Sequence, residues 1–136
     1  MSMFSIFSVS GSAISSQAQR LNVVASNLAN ADAVAGPDGQ AYKARQALFQ
    51  TVPLSKDGAA SGVRISNIVE SEVPNRRVYN PQHPSADAQG YVTHSNVNPV
   101  EEMADMMSAS RSFETSVEVM NRIGSMQQGL LRLGQM

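Results

Sequence analysis

Few residues in this chain have the types and spacing that chemistry needs. His83 and His94 are the only imidazoles, and with Asp87 between them they are the natural place to look for a metal or ligand site. Their spacing matches no compact ligand set, and Pro84 stiffens the segment that carries them. Glu101, Glu102 and Asp105 could serve as paired carboxylates in acid–base work. They also sit where a helix is expected to begin, and complementing its positive terminus explains them without any reaction. Arg76-Arg77 is a short basic pair of the kind found on solvated faces. No Gly-rich phosphate loop or nucleophile elbow is present. There is no cysteine, so disulfides, thiolate catalysis and Cys-based metal sites are excluded. The residues point to no catalytic constellation, no cofactor and no metal.

The strong pattern lies at the two ends of the chain. Phe7, Gly11, Ile14, Ala18, Leu21, Ala25 and Leu28, preceded by Phe4, fall at alternating steps of three and four. Met103, Met106, Phe113, Val117 and Met120 form a second stripe, widened by Ile123, Met126, Leu130 and Leu133. Such spacing puts each set along one line of a helix. An ordinary surface helix covers its opposite face with Lys and Glu. Here residues 1–31 carry one charged side chain, Arg20, and the opposite face offers Ser15, Ser16, Gln19 and Asn22. A polar but uncharged face suits packing against other subunits through hydrogen bonds. The plainer alternative is a two-helix hairpin that packs only on itself. Met103, Met106, Met107, Met120 and Met126 could line a promiscuous groove, but a core role, with Met adapting to slightly different neighbours, fits them better.

Composition sets the bounds. The 136 residues allow one ordinary domain. Apolar residues make up 42%, yet much of that is Ala and Met, with four Phe, three Tyr and no Trp, so a large core is hard to build. Charged residues are 15% and net charge is −1, which gives no electrostatic footing for nucleic acid or an anionic membrane. No secretory n-region and h-region is visible, and no apolar run reaches the roughly 18 residues of a membrane span.

The predicted elements follow. A helix covers residues 2–31. Gly36, Pro37 and Gly39 mark a turn. Residues 42–52 and 62–73 read as two strands of a hairpin joined by 53–61. Residues 74–97 are extended and irregular, because Pro74, Pro81 and Pro84 prevent a helix, with one short strand expected at 90–93. The last helix starts at an Asn98 cap with Pro99 at its first position and Glu101 three residues after the cap, and runs to about residue 133. The fold class is α+β. Long N- and C-terminal helices, from 1–31 and 98–136, pair like a coiled coil, and 32–97 forms a small β-rich insert.

The same residues carry a family likeness. Val24-Ala25-Ser26-Asn27-Leu28-Ala29-Asn30-Ala31 resembles the N-terminal signature of the bacterial flagellar axial proteins, the rod and hook group. Asn98-Pro99-Val100-Glu101-Glu102-Met103, with Ser110-Arg111-Ser112-Phe113-Glu114 and Val119-Met120-Asn121, resembles their C-terminal signature. Within the group, the runs Val73-Pro74-Asn75-Arg76-Arg77-Val78-Tyr79-Asn80-Pro81 and Ala86-Asp87-Ala88-Gln89-Gly90-Tyr91-Val92 are similar to the proximal rod type. Hook-type members follow Asn-Ala-Asn with a Thr-Pro-Gly-Phe turn, whereas here Asn30-Ala31-Asp32 leads into residues 33–40.

The resemblance implies a structural subunit of the proximal rod, not an enzyme. The terminal helices would form an inner α domain stacked helically around a central export channel, and the insert would be an outer β domain. The partners it implies are other flagellar rod proteins, copies of this chain and the flagellar type III export apparatus, which would carry it without a cleaved signal. No nucleic acid, small-molecule substrate or membrane contact is expected. The interface would be Phe7, Gly11, Ile14, Ala18, Leu21, Ala25 and Leu28 on the first helix and Met106, Phe113, Val117, Met120, Ile123 and Leu130 on the last. Asn27 and Asn30 would either bond across helices or end the first helix. Two rival readings remain at this stage: a secreted needle or translocator protein that contacts a membrane, and a small ligand-binding module built on His83, Asp87 and His94.

Overall fold

The computed structural model describes residues 2–136. Helix α1 spans Met3–Ala29 and helix α2 spans Pro99–Gly134, about 40 and 54 Å long at 1.5 Å per residue. Both have the ends their sequences call for. The Ser2 hydroxyl accepts the Phe4 N–H at 3.3 Å, and Asn98 Oδ1 accepts the Val100 N–H at 3.1 Å. Glu101 and Glu102 lie in the first turn of α2 and Arg132 in its last, as the helix dipole favours. Asn30 ends α1: its amide donates to the Ser26 carbonyl at 2.8 Å.

The helices run antiparallel. Gly11 faces Met120, and Arg20 pairs with Asp105, so numbers rising along α1 fall along α2. Asp105 was expected to complement the terminus of α2. It bonds Arg20 on the other helix instead, because it lies a turn too far in to meet the free N–H groups.

Strands β1 (Arg45–Pro53) and β2 (Ser61–Glu70) form the expected hairpin, paired from Pro53↔Ser61 to Arg45↔Glu70. Opposite the step from Leu48 to Phe49, β2 carries one extra residue, Ser66, and this bulge shifts the register and adds local twist. The residues between the strands turn through Gly58, at φ +67°. Within 74–97 the structure holds two strands rather than one. Strand β3 (Arg77–Tyr79) pairs antiparallel with β4 (Tyr91–Thr93), and the Ala35 N–H donates to the Thr93 carbonyl at 2.8 Å on the other side of β4. Three residues are too few to show a period-2 pattern, so β3 left no signal.

The hairpin lies along α1. Ser16 Oγ donates to the Val63 carbonyl at 3.1 Å, and the Val63 N–H donates to Ser12 Oγ at 3.1 Å. Gly62 permits the approach, since a Cβ there would stand 2.7 Å from Ser12 Oγ. This corrects one expectation for the polar face of α1. Ser15, Gln19 and Asn22 are exposed, but Ser16 is covered by the chain's own hairpin, not left for another subunit.

The core is thin. Its buried apolar residues are Val23, Val24, Val92, Val97 and Ile123 with five alanines. The chain exposes 9380 Å², against about 6,900 Å² for a compact monomer of this mass.

Candidate assembly interface

The helix seam is built from side chains that are only partly covered. On α1, Phe7, Gly11, Ile14, Ala18, Leu21 and Leu28 are half-buried, while Ala25 is exposed. On α2, Met106, Phe113, Val117 and Met120 are half-buried, Ile123 is buried, and Leu130 is 57% exposed. Gly11, Ala18 and Ala25 recur every seven residues on the first helix, and Met120 Cε lies 3.8 Å from where a Gly11 Cβ would be. Several buried positions sit off the heptad line: Ser16, Val23, Val24 and Asn27 on α1 and Ala109 on α2. The reason is that α1 has two neighbours, α2 on one side and β1–β2 on another. The buried arc of α1 is therefore wider than a two-helix stripe.

Asn27 is the hub where helix and hairpin meet. It is 1% exposed. Its amide donates to the Arg45 carbonyl at 2.8 Å, and its Oδ1 accepts the Arg45 N–H at 2.9 Å and the Tyr42 hydroxyl at 2.8 Å. Asn27 therefore ties α1 to the start of β1, and Asn30 closes the helix. Glu102, on α2, also meets this hub. Burial pushes its carboxyl above the ordinary range; the Asn27 amide opposes that in part, and the neighbouring Asp105 and Glu101 charges add to it.

A second set of polar residues ties the insert together and, through Ser95, to the residues just after α1, and sequence reasoning did not single it out. Ser95 Oγ donates to the Ala31 carbonyl at 2.7 Å. Asn96 accepts the Ala44 N–H at 2.6 Å and donates to the Val73 carbonyl at 2.7 Å. Asn75 donates to the carbonyls of Tyr42 and His94 at 2.9 and 3.0 Å. Their one sequence signal was position: each lies just outside a helix or strand, where side-chain amides and hydroxyls bond free backbone groups.

The candidate chemistry does not come together. His83 Nδ1 accepts the Ser85 N–H at 3.0 Å. Asp87 accepts the N–H groups of Tyr91 and Gln89 and pairs with Arg77 at 2.6 Å. The Tyr91 N–H above all lowers its carboxyl; burial opposes this as the next largest effect, and the Gln89 N–H and the Arg77 side chain keep the carboxyl below the usual range. His94 joins the small sheet through its backbone, bridging to Val34 and donating its N–H to the Arg76 carbonyl at 2.7 Å. Among the described residues no three His, Asp or Glu side chains stand close enough to hold a metal ion. No described helix is long and apolar enough to cross a membrane.

Comparison with known proteins decides the family. Residues 7–37 match the family described as flagella basal body rod protein. Residues 88–133 match the one described as flagellar basal body rod FlgEFG protein C-terminal. These two segments take in nearly all of α1 and of α2. Over 99% of its length the chain is 51% identical to the whole of a flagellar basal-body rod protein FlgC from Escherichia coli O6:H1. The chain belongs to the FlgC family. Proteins of the same name from Salmonella typhimurium and from Buchnera aphidicola of Schizaphis graminum are 50% and 39% identical, again over 99% of this chain and all of theirs. Since these matches run from end to end, membership in the FlgC family covers the insert as well as the helices.

Proposed function

We propose that this chain is a structural subunit of the proximal rod of the bacterial flagellar basal body, and that it has no catalytic role. Its terminal segments, residues 1–31 and 98–136, form the inner layer of a hollow shaft, and residues 32–97 form an outer layer around it. It packs against copies of itself and other rod proteins and helps transmit torque across the periplasm. It reaches that place through the flagellar type III export apparatus, without a cleaved signal.

The observation that carries the reading is the open helical hairpin. The surface in excess of a compact monomer is about 2,500 Å², which is the scale of an obligate interface. The excess includes large apolar side chains at the end where α1 starts and α2 stops: Phe4 is 81% exposed and Leu133 68%. Neighbouring subunits supply what a single chain lacks. The same openness suits export, because a chain with a thin core and no disulfide unfolds readily and gains rigidity on association.

The test is Leu21→Asp, expressed in cells lacking the native chain. A charge placed in a packed seam should abolish rod assembly and motility. Intact rods and normal swimming would sink the seam assignment.

A further inference from the structure

Two features at opposite ends of the helical hairpin have no partner among the described residues. At one end α2 runs past the start of α1. Beyond Gln127, which shares a cleft with Phe4 and Phe7, its last turns carry Leu130, Leu131 and Leu133, exposed by 57%, 63% and 68%. Arg132 lies among them and is in none of the ion pairs among the described residues. At the other end, a groove of about 500 Å³ opens between β1, α1 and the first turns of α2. Val23 and Val24 form its floor. Leu48 and Phe49, 46% and 42% exposed, form one wall, and Glu101 and Glu102 the other. Arg20 in the groove is taken by Asp105, and the Arg45 guanidinium stands over the Tyr42 ring. Glu101 and Glu102 are left without a cation among the described residues.

We propose that this groove receives the last turns of α2 from a second copy of the chain. Leu130, Leu131 and Leu133 would lie against Leu48 and Phe49, with Arg132 beside Glu101 and Glu102. The two surfaces complement each other in both respects: apolar against apolar, and one unpaired cation against two unpaired carboxylates. The contact cannot form within one chain. Helix α2 is continuous from Glu101 to Leu130, which places the two sites about 40 Å apart. Donor and acceptor surfaces at opposite ends make a heterologous contact, which closes a ring or winds a helix rather than stopping at a pair. The inference rests on the rod-subunit reading and adds the surfaces by which copies join.

The absence of cysteine makes a clean test. Cells lacking the native chain would carry two differently tagged copies, Leu131→Cys in one and Phe49→Cys in the other, and basal bodies would be isolated under oxidising conditions. The expected result is a mixed disulfide joining the two tags. It should vanish when Phe49→Cys is exchanged for Thr115→Cys, on an exposed part of α2. It should also be lost on adding Arg132→Glu to the first copy and return on adding Glu101→Arg to the second. Leu130→Cys and Leu48→Cys replace either cysteine that prevents incorporation. Basal bodies that hold both copies without the mixed disulfide would overturn the inference, as would Leu131→Cys linking only to a different protein. A native tagged chain never recovered in basal bodies would instead remove the rod-subunit reading, and this inference with it.

Discussion

Arg20 of α1 and Asp105 of α2 form the one ion pair that crosses the helix seam among the described residues; the others lie inside the insert and inside α2. Arg20 is also the only charge in α1. Apolar seams tolerate sliding by a heptad, because one Leu or Ala replaces another. A single cross-helix charge pair does not, so it fixes which turn of α1 meets which turn of α2.

Asp105→Asn should therefore lower the stability of the isolated chain by about 1 kcal/mol, the scale of a partly exposed pair. The double change Arg20→Met with Asp105→Leu should recover most of that loss, since no charge is then left without its partner. Urea unfolding of the three proteins checks this, and a double variant weaker than the single one would contradict it.

Asn27→Ala should be more damaging. It removes three hydrogen bonds at a position 1% exposed, and the Arg45 backbone groups lose their partner. A loss of about 3 kcal/mol is expected. Asn27→Asp keeps both acceptor bonds, loses the donor bond to the Arg45 carbonyl and brings a second charge toward Glu102. Its stability should fall between the two, and closer to the native chain in acid than at neutral pH.

Glu102 should make stability depend on pH. Its carboxyl lies above the ordinary 4.5, chiefly through burial. The folded chain thus holds this proton more tightly than the unfolded chain. The contribution is fully present below 4.5 and is lost as pH rises from there through the raised value. Glu102→Gln should raise the thermal midpoint at pH 7 and flatten this part of the profile. A midpoint that falls at pH 7 would show that the carboxylate is needed in its charged form.

Two glycines should respond in opposite directions. Gly11→Ala places a Cβ at ordinary contact distance from Met120, 3.8 Å, with no positive φ to strain it. It should stabilise the chain by about 0.5–1 kcal/mol through helix propensity. Gly62→Ala drives a Cβ to 2.7 Å from Ser12 Oγ and 2.9 Å from Leu54 Cδ1. It should cost about 1–3 kcal/mol by lifting the hairpin off α1. Paired thermal melts would read both signs at once.

The helices were legible because their signals are redundant. Apolar period, the Asn98 cap and Pro99 all agree on α2, and Ser2 and Asn30 bracket α1. The hairpin was legible to within a few residues, but its bulge was not, since register depends on partners that one strand does not encode. The heptad line marked side chains that the two helices partly cover, Phe7, Ile14 and Met120 among them. It missed Val23 and Val24, because a heptad reading assumes one neighbour and α1 has two. Asn27 was read as either a cross-helix bond or a helix end. Its main partner is a strand start 18 residues away, and nothing in the local sequence marks that pairing.

Arg20 and Asp105 stand 85 residues apart in sequence. Closing so long a loop adds little to the equilibrium cost, which grows only with the logarithm of its length. It adds much more to the time required, because distant contacts form late. The β1–β2 hairpin and its hold on α1 use residues that emerge together, near the front of the chain. Helix α2 arrives only at the end. Whenever the chain is delivered from its N-terminus, whether by the ribosome or through a narrow pore, α1 first finds the hairpin and then waits for its antiparallel mate. The apolar line of α1 thus stays open for the interval in which most of the polypeptide passes, and a competing helix presented during that interval would meet it before α2 does.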